Sequence, residues 1–142
     1  MEMSAGQKLV RRRKVEERVD ISDLQFGEDF QDAAEAMLNA EVKAVIDTVN
    51  AAQELEFDDL TEMMQNTSKF VETFGKFQDT ESISRCKQEL MERGLHSFEA
   101  ASMGNLMPTN ADEAKRLIAS LTRLSDDDVR ECCSIVQRYR EV

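Results

Sequence analysis

The sequence of 142 residues contains one proline, five glycines, one tyrosine and no tryptophan. A β-sandwich or barrel needs a turn roughly every ten residues, and turns are rich in glycine and proline, so this composition argues against that class. No apolar run of about eighteen residues occurs, which argues against a membrane-spanning helix. The N-terminal residues also lack the apolar segment of a secretory signal. We therefore expect a soluble, intracellular, all-α chain.

Groups that carry catalysis or bind metals are also scarce. The chain has a single histidine, His96, and its three cysteines, Cys86, Cys132 and Cys133, show no CxxC spacing. The acidic run 126–128 lacks the alternating spacing and the glycine of a calcium loop, and no glycine-rich phosphate loop is present. We expect buried, reduced thiols, a structural His96 at the start of a helix, and no catalytic residue, metal or cofactor.

Charge is distributed unevenly along the chain. The net charge is −11, but residues 1–19 carry six basic and three acidic side chains, whereas residues 20–142 carry twelve and twenty-six. A body this acidic repels phosphates, so direct nucleic-acid binding by residues 20–142 is not expected. Residues 1–19, with the cluster KLVRRRK at 8–14, are expected to form a disordered basic arm. An import signal or a nucleic-acid-contacting tail is the alternative interpretation of this arm.

Residues 20–54 carry more apolar side chains than one buried face requires. The stretch ISDLQFGEDF at 21–30 is too short and too broken by glycine for a long helix. We expect an extended strand at 21–26, which would need a sheet edge from another protein because no second strand is evident in this chain. A helix is expected over 30–52, with apolar positions around more than half of its circumference. We expect residues 20–54 to bind a partner through Ile21, Leu24, Phe26, Phe30, Met37, Leu38, Val42, Val45 and Ile46. A loop packed on the bundle, and a helix buried on two sides within it, are the alternatives.

Residues 55–142 have the pattern of a bundle of short amphipathic helices. A helix is expected from about Phe57 to Phe74, with Gly75 as its C-terminal cap. Phe74 is expected in the core and Phe77 folded back onto the bundle, so that truncating Phe74 to alanine would cost roughly 3–5 kcal/mol. Four shorter helices follow, and each is preceded by a residue that can cap its first turn. The expected caps are Asp79 or Thr80, Ser97, Thr109 or Asn110, and Ser125. We expect an orthogonal bundle with Phe98 and Leu106 packed inward.

Three segments in this C-terminal part together resemble a known family. They are FGKFQDTESI (74–83), GLHSFEAASMGNLMPTNADEAKRLIASL (94–121) and SDDDVRECCSIV (125–136). In order and spacing they are similar to the fourth subunit of eukaryotic RNA polymerase II, over roughly residues 21–139. Near the N-terminus, LQFGEDF (24–30) looks like the partner-binding stretch of the same family. The residues that carry this signature or the core are Phe74, Phe77, Leu95, His96, Phe98, Leu106, Leu117 and Ile118. The family has a proline in the segment that reads LIASL here, so the helix that contains Leu117 is expected to run a turn longer.

The resemblance implies a non-catalytic role. It implies an HRDC-like helical fold for residues 55–142, and a heterodimer with the seventh subunit, which carries an RNA-binding OB domain. The two subunits would form a stalk beside the RNA exit channel of the core polymerase, support initiation, and dock transcription factors and nascent RNA, with RNA held mainly by the partner. A nuclear location follows, with the cytoplasm as a second site, and no membrane. The alternatives are the equivalent subunit of RNA polymerase III, or a free-standing HRDC-like module that binds nucleic acid.

Overall fold

A computed structural model of the protein describes residues 19–31, 34–77 and 79–140. The described residues form seven α-helices and three short 3-10 turns, and they contain no strand. The helices are α1 (Glu28–Gln31), α2 (Asn39–Ala52), α3 (Glu62–Phe74), α4 (Thr80–Glu92), α5 (Ser97–Leu106), α6 (Ala111–Leu117) and α7 (Asp126–Arg138). The 3-10 turns are Ile21–Asp23, Phe57–Asp59 and Ala119–Arg123. The predicted all-α bundle is confirmed, whereas the basic arm, apart from Val19, lies outside the described residues.

The main core lies where α4, α5, α6 and α7 meet. Leu90, Met103, Leu121, Val129 and Val136 are fully buried there, and the signature residues Leu95 and Ile118 belong to the same cluster. Phe77 folds back as predicted and packs against this core and against a second, smaller cluster that Leu38 and Ile83 form. The second cluster joins the segment before α2 to the rest of the bundle.

All three thiols are buried in the core, as the composition predicts. Burial raises the pKa of Cys86 to about 12 and that of Cys132 to about 11, and it also raises the pKa of Cys133. A thiol of this kind is protonated at neutral pH, and only the thiolate is a strong nucleophile. These cysteines therefore act as small apolar residues.

Most helices begin at a polar side chain that accepts a hydrogen bond from the first turn. Asp79, Asn110 and Ser125 accept from Ser82 N, Glu113 N and Asp128 N at 2.8, 2.8 and 3.2 Å, and these three caps confirm the prediction. The prediction that Ser97 caps α5 is wrong. The cap of α5 is His96, one residue earlier. The helix that contains Phe74 begins at Glu62 rather than near Phe57, because Thr61 caps it.

The front of the chain differs most from expectation. The predicted strand at 21–26 is instead a closed turn, in which Asp20 and Gln25 exchange both backbone hydrogen bonds, at 2.8 and 2.9 Å. The predicted helix over 30–52 begins only at Asn39, and residues 34–38 are not helical. Although the apolar pattern of these residues is helical, contacts with α4 and α5 stabilise a non-helical conformation of residues 34–38.

Three of the predicted core side chains are exposed. Phe74 is 47% exposed because α3 is covered mainly by α2, which buries Val71 and leaves the adjacent side open. Leu106 and Leu117 are each the last residue of a helix, and both point outward. The chain leaves the helix directly after each of them, so that Met107 and Ile118 take the buried positions instead. The expected extra turn at Leu117 is therefore absent, and residues 119–123 form a 3-10 turn.

Candidate protein-interaction surface

The segment 34–38, which we call the front segment, is held by a buried lysine. Lys87 on α4 is only 8% exposed, and its Nζ donates to the backbone oxygen of Ala36 at 2.7 Å. The same amine lies 2.9 Å from Glu35 Oε1 and 3.3 Å from Glu41 Oε1. A buried ammonium is tolerated only when several acceptors replace its water. The front segment supplies two of these three acceptors, so Lys87 and this segment stabilise each other.

Two side chains of α5 complete the attachment of the front segment. Asn105 Oδ1 accepts from the backbone nitrogen of Asn39 at 2.8 Å, and Ser97 Oγ accepts from the backbone nitrogen of Ala36 at 3.3 Å. At the start of α2, Glu41 accepts from the backbone nitrogen of Leu38 at 3.0 Å. Backbone groups that a continuous helix would have paired internally are thus satisfied by α5 and by Glu41.

Phe26 brings the closed turn onto the start of α5. The centroid of its ring lies 5.2 Å from that of His96 and 5.2 Å from that of Phe98, within the range of favourable aromatic pairs. Between the turn, the front segment and α5 an open groove encloses about 480 Å³. This front groove is lined mainly by Val19, Ile21, Phe26, Phe30, His96 and Phe98. Its wall is mostly apolar, which suits the docking of an apolar segment.

His96 supports this groove structurally. Its Nδ1 accepts from the backbone nitrogen of Phe98 at 3.1 Å, while the backbone nitrogen of His96 donates to Glu99 Oε1 at 3.0 Å. The two bonds form a reciprocal cap at the start of α5. The expectation that His96 caps or packs at a helix start is confirmed.

Behind His96 lies a buried carboxylate that the sequence did not single out. Glu99 has no exposed surface, and its oxygens accept from Ser120 Oγ at 2.7 Å and from the Arg123 guanidinium. Arg123 also donates to the backbone oxygen of Gly94 at 3.0 Å. The cluster fixes α5 to the 3-10 turn Ala119–Arg123. The 3-10 turn Ile21–Asp23, which is part of the closed turn, packs against the same residues. A glutamate three residues after a potential cap was its one sequence signal, and Lys87 had none.

The residues expected to bind a partner divide into three groups. Ile21, Phe30, Met37 and Val45 are exposed, and Leu24, Phe26 and Val42 are partly buried. Leu38 and Ile46 are 1% and 8% exposed, so their assignment as surface residues is wrong: both belong to the chain's own interior. The exposed members lie in two places. Ile21 and Phe30 line the front groove, whereas Met37 and Val45 line a smaller groove of about 300 Å³ between α2 and α4.

The described residues place the thiols and the imidazole in structural positions. They contain no group of three His, Cys, Asp or Glu side chains placed to hold a metal ion. Their thiols are buried and protonated, and the one imidazole is a helix cap. Across the described residues, no helix combines the length and the apolar character that crossing a bilayer requires.

Comparison with known proteins gives a consistent result. The model of the family described as RNA polymerase Rpb4 matches residues 34–140. The chain is 29% identical to the DNA-directed RNA polymerase II subunit rpb4 of Dictyostelium discoideum over 150 aligned residues, which cover 94% of this chain and 96% of that one. It is 34% identical to the Schizosaccharomyces pombe subunit of the same name over 112 residues, 76% of this chain and 81% of that one. The match to the Saccharomyces cerevisiae subunit is 42% identical over 67 residues, 46% of this chain and 30% of that one.

Proposed function

The chain belongs to the RNA polymerase Rpb4 family, and on that premise we propose that it is a non-catalytic subunit of nuclear RNA polymerase II. The observation that carries this proposal is the match over residues 34–140, which runs from the front segment to the end of α7. The names of the relatives in three organisms, all subunits of polymerase II, support the same assignment.

We further propose that the chain forms a heterodimer with the seventh subunit through the front groove. Ile21 and Phe30 are more than half exposed at its edge, and covering a large apolar side chain contributes roughly 1.5–3 kcal/mol. The groove is already shaped by the Lys87 and Glu99 contacts, so a partner would bind without first ordering the front segment. This differs from the expected addition of a lone strand, because residues 20–25 form a closed turn.

Within the polymerase, the heterodimer would form the stalk beside the RNA exit channel and support initiation. Transcription factors and nascent RNA would dock there, with RNA held mainly by the seventh subunit. The charge of residues 20–142 supports this division of work, since twenty-six acidic and twelve basic side chains disfavour contact with phosphates. The basic arm is the part of the chain suited to nucleic acid or to an import receptor. A cytoplasmic pool of the heterodimer is part of the same proposal.

Co-purification tests the heterodimer. The tagged full chain is co-expressed with the seventh subunit, and the double variant Ile21→Asp with Phe30→Asp is compared with Leu106→Asp. Leu106 is an exposed leucine at the far end of α5 and is the matched control. We expect the affinity of the double variant for the seventh subunit to fall by about a hundredfold, and the control to bind it as the unmodified chain does. Equal retention by both variants would contradict the front groove as the interface.

Purification from nuclear extract tests the assignment to polymerase II. Mass spectrometry of the large subunits that accompany the tagged chain should identify the two largest subunits of polymerase II. Recovery of the polymerase III subunits instead would favour the equivalent stalk of that enzyme. A third outcome is that the tagged chain recovers the large subunits of neither polymerase and still binds oligonucleotides after residues 1–19 are removed. That outcome would favour a free-standing nucleic-acid-binding module.

A further inference from the structure

An apolar stripe on α3 is left uncovered by the described residues. Met63, Phe70 and Phe74 are 77%, 54% and 47% exposed. They are spaced by seven and four residues, which places them within about 40° of one another around the helix. The rings of Phe70 and Phe74 pack together, with centroids 4.8 Å apart. The stripe runs about 16 Å along the helix, nearly its full length.

The stripe is separate from the contacts that hold α3 in the bundle. Val71 is the buried residue of α3, and α3 packs mainly against α2. None of the three stripe residues lines the front groove. Three large apolar side chains on one exposed line are typical of a binding surface, since scattered single residues are the usual pattern on a monomer.

Acidic residues surround the start of this stripe. Residues 54–74 contain six carboxylates and one lysine, a net charge of −5. Five of these carboxylates are exposed on the connection that leads into α3 and on the first residue of that helix: Glu54, Glu56, Asp58, Asp59 and Glu62. In the part of the chain that the structure describes, none of these five is ion-paired with a lysine or arginine. A partner with positive charge beside an apolar face would complement both features.

The same region already holds one cation against an aromatic ring. Lys69 Nζ lies 5.3 Å from the centroid of Phe57, a distance at which the ring attracts the ammonium. Phe57 lies next to Asp58 and Asp59 and is itself exposed. The local chemistry therefore accommodates ammonium or guanidinium groups beside apolar contacts.

We propose that the α3 stripe, with its acidic start, binds a basic amphipathic helix of a partner protein. An apolar ridge of helical spacing suits a second helix, whose side chains at positions i, i+3, i+4 and i+7 pack along it. Lysines or arginines beside that apolar face would meet Asp58, Asp59 and Glu62. RNA and anionic lipid surfaces are disfavoured, because the region is strongly negative. This surface is distinct from the front groove, so the two can be occupied together.

A designed probe tests the proposal on the full chain. The probe is a fluorescein-labelled synthetic helix of about 15 residues, with leucine and phenylalanine on one face and lysine on the other. Fluorescence anisotropy is measured for this peptide, for a scrambled peptide of the same composition, and for a version with every lysine replaced by glutamate. We expect only the first peptide to bind, with an affinity that falls as salt rises. Equal binding of the scrambled peptide would mean non-specific charge attraction and would overturn the proposal.

Two sets of variants locate the site. Phe70→Asp with Phe74→Asp should lower the affinity for the peptide at least about tenfold, because exposed aromatic anchors dominate such interfaces. Asp58→Asn, Asp59→Asn and Glu62→Gln together should weaken it and flatten its salt dependence. Phe30→Asp is the matched control, since it changes an exposed phenylalanine outside the stripe. Circular dichroism verifies folding, and if the aspartate pair unfolds, Phe70→Ala with Phe74→Ala replaces it.

Unchanged peptide binding by a folded Phe70/Phe74 variant would overturn the proposal. The proposal would also be overturned if the unmodified chain bound an RNA oligonucleotide and the Phe70/Phe74 variant did not. The result is independent of the heterodimer. Phe30→Asp should weaken binding of the seventh subunit and leave peptide binding unchanged. The Phe70/Phe74 double variant should weaken peptide binding and leave binding of the seventh subunit unchanged. Failure of one proposal is therefore distinguishable from failure of the other.

Discussion

The side chain of Leu38 occupies the space that a Cβ atom on Gly104 would take. Such an atom would lie 2.2 Å from Leu38 Cδ2 and 3.1 Å from Leu38 Cγ, far inside normal contact distance. Leu38 is 1% exposed, so its side chain has little room to move aside. The absence of a side chain on α5 at residue 104 therefore allows the front segment to pack closely on the bundle.

Gly104→Ala should lower the free energy of unfolding by about 1–3 kcal/mol, the usual cost of overpacking. This is expected although alanine favours helix by about 1 kcal/mol over glycine. Amide exchange of residues 38–41 should accelerate, as measured by mass spectrometry. The control is the same substitution in a Leu38→Ala background, where the clash is gone and Gly104→Ala should be neutral or stabilising. Equal effects in both backgrounds would contradict the assigned contact.

Lys87→Met should loosen the front segment. It leaves the Ala36 oxygen without its 2.7 Å donor, and an unpaired buried polar group costs about 1–3 kcal/mol. Hydrogen exchange of residues 38–42 should rise, while α7 should keep its protection. Arg85→Met on the same helix is the control, because the Arg85–Glu81 pair is exposed and such pairs contribute about 0–1 kcal/mol. Similar exchange in both variants would argue against Lys87 as the anchor.

Truncation should destabilise the fold much more in the core than on the α3 stripe. Met103 has no exposed surface, and Met103→Ala is expected to cost about 2–5 kcal/mol. Phe74→Ala should cost about 1 kcal/mol or less, as is usual for surface positions, rather than the 3–5 kcal/mol expected of a core phenylalanine. Denaturant unfolding monitored by circular dichroism measures both. A Phe74 variant as unstable as the Met103 variant would place Phe74 in the interior.

Glu89 should contribute to stability at neutral pH and lose that contribution in acid. The hydrogen bond from Tyr139, together with Arg138, lowers the pKa of Glu89 below its ordinary value of 4.5. A carboxyl whose folded pKa is lowered contributes stability above its unfolded pKa and loses it as the pH falls through the folded one. Glu89→Gln should therefore lower the melting temperature at pH 7 and weaken its decline below about pH 4.5. Glu92→Gln on the same helix is the control, and identical pH profiles for both variants would contradict the assignment.

The helices after residue 79 could be predicted well, because each depends on local signals. Asp79, Asn110 and Ser125 cap helices whose apolar residues recur at three- and four-residue steps, and cap and pattern agree at these places. The exposed Leu106 and Leu117 show the limit of that reasoning. A helical pattern does not reveal that the chain leaves the helix one residue later and turns Met107 and Ile118 inward.

The front of the chain could not be predicted from its pattern, because distant residues determine it. The helical period of residues 34–38 is overridden by Lys87, Ser97 and Asn105, which lie about fifty to seventy positions away. The surplus of apolar side chains was a sound signal of exposed surface, but it could not assign individual residues. Leu38 and Ile46 fill the interior, while Phe74, expected in the core, is exposed.

The burial of all three native thiols has a practical consequence for placing spectroscopic reporters on this protein. With the pKa of Cys86 near 12 and that of Cys132 near 11, maleimide reagents at neutral pH should leave both side chains unmodified in the folded chain. A single cysteine introduced at Phe30 or at Phe70 could then carry a fluorophore without removal of the natural ones. Dyes at those two positions would report separately, in one assembled complex, when each surface becomes covered.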